Sequence, residues 1–325
     1  MNEKKKLTIE DKIMRIPPVR RVVNALDAIY PPGFQGASLY SVFQFFFKGI
    51  ISPKFNLYAG SLSWNFFLAI FPSLIFLFTL IAYIPINGIQ KTILQQMDFF
   101  LPDDAYKIIK STVRDIVSKQ RSGLLSLGFF SALYFGSNGF FSMMLAFDSN
   151  FNESEKKKRN FFQKRGKSIL LTLGITTLIF MALSVLISGN MLSAYVIKKA
   201  IINKSVMVFF VKSLQFICLS ALVFFIMSAL YFFGHSAKHR WKFFSPGAIV
   251  ATVLSLIATY AFSNFVDDFD SYNKLYGSIG AIVVLMLLIY FNTLCILVGF
   301  ELNKSITTVV KMAQEKRKLE NRFRN

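Results

Sequence analysis

Inside stretches otherwise built of Leu, Ile, Val, Ala and Phe stand six residues of a different kind: Asn65, Pro72, Asn138, Lys212, Glu301 and Asn303. In hydrocarbon an amide must find a hydrogen-bond partner and a charge at a helix centre costs about 2.5–3.5 kcal/mol, so such groups mark a polar path, a gate or a packing contact. Pro72 lacks the N–H that would satisfy the carbonyl four residues back, which bends a helix or opens its backbone toward a ligand. Asn138 lies in GSNG (136–139), where small residues let helices approach and the amide can bond across the contact. Lys212, about two turns into its apolar run, either snorkels to the nearer surface or faces a cavity with the acids of VDDFD (266–270) as partners. Glu301 closes the last apolar run; an acid at a helix C-terminus opposes the macrodipole and requires a cationic or hydrogen-bonding partner. Arg240, Lys242, Lys164 and Arg165 are the candidates. A structural clamp is the favoured role, with a gate or proton-sensitive site as the alternative.

Hydrolytic chemistry finds little support. A metal-dependent nuclease needs clustered His, Asp or Glu ligands, and a metal-free one needs a positioned acid and base. The 2 histidines, His235 and His239, lie four apart in a short basic stretch that holds no carboxylate. In that stretch Arg240, Trp241 and Lys242 are read as contacts for phosphate headgroups. No catalytic residue, metal or cofactor is expected, no phosphate-binding loop for ATP is present, and nucleic acid is not an expected partner. Cys218 and Cys295 both sit in apolar runs and read as packing residues.

The elements that must position these residues follow from composition. With 54% hydrophobic residues, 38 Phe and a mean hydropathy of +0.49, the chain is too apolar for a soluble globular protein. Six runs near 62–84, 124–147, 168–192, 206–233, 246–266 and 279–300 each supply the roughly 20 apolar residues a helix needs to cross about 30 Å of hydrocarbon. Their unbroken apolarity argues helix over barrel strand. Of the 37 Lys and Arg, 26 fall before, after or in the even-numbered connections and 10 in the others, which places both termini in the cytoplasm. The strongest signal is KKKRNFFQKRGK (156–167). The N-terminus has cations but no apolar core behind them, so no cleaved signal is expected.

The fold expectation is therefore all-α: a six-helix transmembrane bundle (61–305), preceded by a cytoplasmic segment (1–60) and followed by a basic cytoplasmic tail (306–325) that frays from Lys311 onward. ASLYSVFQFFFKGIIS (37–52) carries apolar residues near helical spacing and reads as a helix in the inner interface, or as packing under the bundle. The first outer connection, with amphipathic spacing, reads as an outer helical cap.

Several separate stretches, SLSWNFFLAIFPSLIFL (61–77), WKFFSPGA (241–248), YNKLYGSIGA (272–281) and GFELN (299–303), occur in the order and spacing of one family. On these the chain resembles the YihY/BrkB family of bacterial inner-membrane proteins, formerly labelled ribonuclease BN, over about 55–305. The resemblance places Pro72, Pro246, Gly247, Tyr272, Tyr276, Gly277, Glu301 and Asn303 at characteristic positions. Trp64, Ala69 and Leu288 depart from the residues usual there, and Ala69 weakens any role for a hydroxyl at that point. The resemblance implies a six-helix fold of the bacterial inner membrane, with transport or flipping of envelope lipids among the functions proposed for members.

The functional expectation is a transporter or flippase-like protein for an anionic lipid, its path using the polar intramembrane residues. The alternative is a non-transporting scaffold or regulator of envelope assembly. Membrane lipids are the expected partners, with a second copy of the chain or an envelope protein as further possibilities.

Overall fold

A computed structural model of the chain describes residues 17–83, 110–111, 113–116, 119–149, 151, 157, 159–199, 204–237, 241–267 and 278–324. Besides helical residues within 110–116, eight helices are described end to end: α1 (Pro17–Asp27), α2 (Leu39–Ile50), α3 (Pro53–Ile81), α4 (Ser122–Ser149), α5 (Phe161–Lys199), α6 (Lys204–Gly234), α7 (Pro246–Asp267) and α8 (Ser278–Arg324). No strand is present among the described residues. The last six helices are long and apolar enough to cross a membrane, so the protein is an all-α, multi-pass membrane bundle.

Local chemistry fixes the helix starts. Proline is tolerated at the first helical position because its missing N–H has no acceptor there. Pro53 after Ser52 and Pro246 after Ser245 use this rule, and α3 consequently begins well before its most apolar stretch. Ser38 caps α2, its Oγ accepting from Ser41 N at 3.3 Å. The turn joining α1 to α2 uses positive φ at Gly33 and Gly36, and a Cβ on Gly33 would press on the Pro246 ring. Helix α3 runs through Pro72 without a break in its assigned helix.

Successive spans are neighbours, and α8 returns against α3, so the six helices close a ring in chain order. Helix α5 packs mainly on α4 and α6. Only 17–33% of each apolar window is buried inside the bundle, as expected where lipid solvates the remainder. The buried core gathers at one end: Phe55, Ala59 and Leu62 open α3, Met143, Met144 and Phe147 close α4, and Leu230 and Tyr231 close α6. They meet Ala248 and Ala251 of α7 and Leu297 and Phe300 of α8, with the Phe147 and Phe300 rings stacked at 3.9 Å. This is also the end that carries the basic 157–167 stretch.

Helix α2 lies against the continuation of α8, with Val42 fully buried beside Leu302 and Ile306 while Phe47 stays exposed. Packing under the bundle is thus part of its role. The tail expected to fray from Lys311 onward is helical as far as Arg324: α8 is 47 residues, about 70 Å long, more than twice the hydrocarbon thickness. The packing of Ile306 onto α2 carries the helix past the membrane surface, and strong helix formers continue it to Arg324. Most of the outer connection lies outside the described residues; near α4, Lys119 and Arg121 both pair with Asp115. The hydrogen bond from Lys119, chiefly, holds that carboxyl below the usual carboxylate range.

Candidate functional site

The first four N–H groups of a helix lack intrahelical acceptors. At the buried start of α7, Asn303 of α8 supplies one: Gly247 N donates to Asn303 Oδ1 at 2.9 Å, while Asn303 Nδ2 donates to Ser245 Oγ at 2.9 Å. The same crossing brings backbone to backbone, since a Cβ on Gly299 would fall on Gly247 O and Tyr231 Oη. Tyr231 Oη donates to Ile296 O at 2.7 Å, tying α6 to α8. The SPGA and GFELN stretches are therefore two halves of one joint.

Glu301, two residues before Asn303 in the same stretch, is 4% exposed and pairs with Lys304 Nζ at 2.8 Å. The pairing corrects the expected list of partners. Lys304 lies one turn further along the same helix, where i,i+3 side chains meet, so no loop cation is needed. The carboxylate also lies over Gly49 at the end of α2, where a Cβ would collide with it. Of the four expected cations, Lys164 pairs elsewhere, Lys242 is exposed, Arg165 lies over the Tyr134 ring, and Arg240 lies outside the described residues.

A second buried carboxylate organises the loop between α6 and α7. Asp148, 4% exposed at the end of α4, accepts from Ser236 N at 2.9 Å and Ser236 Oγ at 2.6 Å, and pairs with Lys164 Nζ of α5 at 3.0 Å. Lys157 N donates to Ser236 O at 2.8 Å, and Arg159 donates to His235 O at 2.6 Å. His235 Nδ1 lies 2.5 Å from the Tyr231 carbonyl, which can only accept, so the proton sits on Nδ1. Trp241 stacks on that imidazole at 4.2 Å and donates to Thr307 Oγ1 at 2.8 Å. It is 3% exposed, and the headgroup role expected for it gives way to a core role, because its ring fills the space between His235, Phe151 and Phe300.

Outside this clasp, α5 and α6 diverge and leave a crevice of about 770 Å³. Lys157, Arg159, Gln163, Lys167 and His235 stand around one end; Leu171, Gly174, Ile175 and Leu178 of α5 face Ala229, Phe232 and Phe233 of α6 along the rest. The volume lies within the 300–1,000 Å³ of small-molecule sites. Charge is confined to one end and the walls are apolar, a distribution that complements an amphiphile.

The residues singled out in the sequence fall in separate places. Asn138 Nδ2 donates to Asn65 Oδ1 at 2.8 Å, and Asn65 Nδ2 donates to Ser61 O at 2.8 Å, so these two amides join α3 to α4. Pro72 lies about two turns further along α3. Glu301 and Asn303 belong to the α2–α7–α8 joint. Lys212 is exposed near the opposite end of α6; of its expected partners, Asp268 and Asp270 lie outside the described residues. None of the six lines the crevice. Among the described residues no group of three or more His, Cys, Asp or Glu is placed to hold a metal. Asp148, Lys157, Lys167 and Gly174 were missed: Asp148 is a lone acid ending an apolar run, a signal like that of Glu301, but the lysines are lost among other cations in a basic stretch.

Fold and site together define a multi-pass helical membrane protein with a lateral amphiphilic crevice at its basic end. The family model described as "Virulence factor BrkB" matches residues 46–323, and the chain belongs to that family. It is similar to the ribonuclease-like protein YfkH of Bacillus subtilis (strain 168), 30% identical over 276 residues that cover 83% of this chain and 98% of that protein. It is also similar to a UPF0761 membrane protein of Stenotrophomonas maltophilia (strain R551-3), 33% identical over 67 residues, which cover 21% of this chain and 16% of that protein. No solved structure matches the chain.

Proposed function

We propose that the protein moves an anionic lipid between the leaflets of the bacterial cytoplasmic membrane, loading it at the crevice between α5 and α6. One observation carries the reading: a cavity of about 770 Å³ whose basic mouth (Lys157, Arg159, Lys167) gives onto apolar walls. A soluble anion would have no use for those walls, and an uncharged hydrocarbon none for the mouth. The cation bias of the connections supports a cytoplasmic side for this mouth and both termini, where anionic headgroups attract basic residues by about 1 kcal/mol each. The Asn65–Asn138 pair and Lys212 offer polar groups beyond the mouth, and Glu301 serves as a clamp.

The test is a vesicle assay. Protein reconstituted into liposomes of phosphatidylcholine and fluorescent phosphatidylglycerol should expose inner-leaflet label to an impermeant quencher faster than protein-free liposomes do, and Lys157→Gln with Lys167→Gln should slow it. Rates equal to protein-free liposomes, for anionic phospholipids and lipid A precursors alike, refute the reading. A scaffold reading draws on a different observation: beyond Lys311 the basic end of α8 stands exposed, with Met312, Leu319 and Phe323 open to a partner.

A further inference from the structure

The dimensions of the crevice say more about its occupant than charge alone. From Lys167 to Leu178 the α5 wall rises eleven residues, about 16 Å, close to half of the roughly 30 Å hydrocarbon thickness. The apolar wall is thus one leaflet deep, starting where the cations stop. On the α6 side it is closed only by the last turns, Ala229 to Phe233. At Gly174, midway down, a Cβ would meet nothing within 4 Å, so the missing side chain leaves room in the wall and no neighbouring helix requires the glycine. The mouth is built as well as charged: the Lys157 main-chain N–H donates to Ser236 O, the Arg159 guanidinium donates to His235 O, and Ser236 is held in turn by buried Asp148. That fixes the Arg159 guanidinium and the backbone that carries Lys157 relative to the end of α6, while Lys167 approaches from α5.

We infer that the crevice is a resting site for one phospholipid of net negative charge from the leaflet at the basic end, with its phosphate among Lys157, Arg159 and Lys167 and one acyl chain lying beside Gly174 down to Leu178. The second chain stays in the bilayer, onto which the cavity opens between two lipid-facing helices. This rests on the same crevice as the transport reading but makes a separate claim, about what binds and how deep.

The full chain in a non-ionic detergent, loaded with fluorescent phosphatidylglycerol, tests it by competition. Unlabelled phosphatidylglycerol should displace the probe at about tenfold lower concentration than phosphatidylcholine does, and glycerol phosphate, which has no chain, should not displace it at all. Lys157→Gln and Lys167→Gln should each narrow that preference by about fivefold. Gly174→Trp should abolish binding of both lipids while the melting temperature holds, and Gly174→Leu should weaken it as a milder plug. Equal displacement by the two lipids, displacement by glycerol phosphate as effective as by lipid, or full affinity in Gly174→Trp would overturn the inference. Binding as described in a protein inert in liposomes leaves this site standing and removes the transport reading; lipid movement slowed by Lys157→Gln with Lys167→Gln, together with full probe affinity in Gly174→Trp, does the reverse.

Discussion

Asn303 performs two tasks with one amide, accepting from the N-terminus of α7 and donating to its cap serine. Both groups are buried, so removal leaves Gly247 N without its acceptor where water is excluded. Asn303→Ala should therefore destabilise the folded protein by about 1–3 kcal/mol, combining a lost cap with an orphaned donor. Asn303→Asp keeps the acceptor for Gly247 N and loses only the donation to Ser245, and should fall between wild type and alanine. Thermal unfolding of the three proteins in one detergent checks the order, and equal melting of alanine and wild type would remove the capping role. The sequence singled out Asn303 but could not supply this role, because its partners lie 56 and 58 residues away and pairing across that distance leaves no local pattern. Glu301 shows the opposite failure: its need for a partner was legible, yet distant loop cations were weighed while Lys304, one turn away, supplies the charge.

Helices here were easier to read than their contacts. Length and unbroken apolarity suffice to mark a span, because the bilayer forbids unsatisfied backbone, and at their packed ends α4, α6 and α7 stop or start within two residues of the expected limits. Helix α3 starts earlier, at Pro53, where Phe55 and Ala59 bury; α5 starts earlier, at Phe161; and α8 runs on past Phe300, where Leu302 and Ile306 pack beside α2. Which helices touch was not legible, since in lipid the contact faces are marked by small residues and not by apolarity. Gly247 and Gly299 make that point, with backbone at the contact where any Cβ would lodge. Gly299→Ala should separate α7 from α8 and lower the melting temperature markedly, an overpacking cost of about 1–3 kcal/mol. Gly60→Ala, on an exposed stretch of α3 where a Cβ meets nothing within 4 Å, should be neutral or raise stability by up to about 1 kcal/mol through helix propensity. The contrast tests packing directly, because both changes add the same methyl to a helix.

Six crossings return a chain to the side on which it began, so the N-terminal helices, the 157–167 stretch, the α6–α7 loop and the far end of α8 share one face of the molecule. There the buried core, the Asp148 clasp, the Asn303 joint and the mouth of the crevice also lie. Stability and the candidate site are thus concentrated together, and which leaflet the crevice serves follows from which side that face occupies. The bias of 26 against 10 cations is the ground on which the cytoplasmic side is proposed for it. Single cysteines report the answer: Ser154→Cys lies in the second connection and Asp104→Cys in the first, on opposite sides of α4. The native thiols at Cys218 and Cys295 sit within apolar helices, out of reach of a polar reagent. In intact cells an impermeant maleimide should label Asp104→Cys at once and Ser154→Cys only after the membrane is permeabilised. Reversed labelling would turn the molecule over and hand the crevice to lipids of the outer leaflet; equal labelling of both before permeabilisation would mean that α4 does not cross.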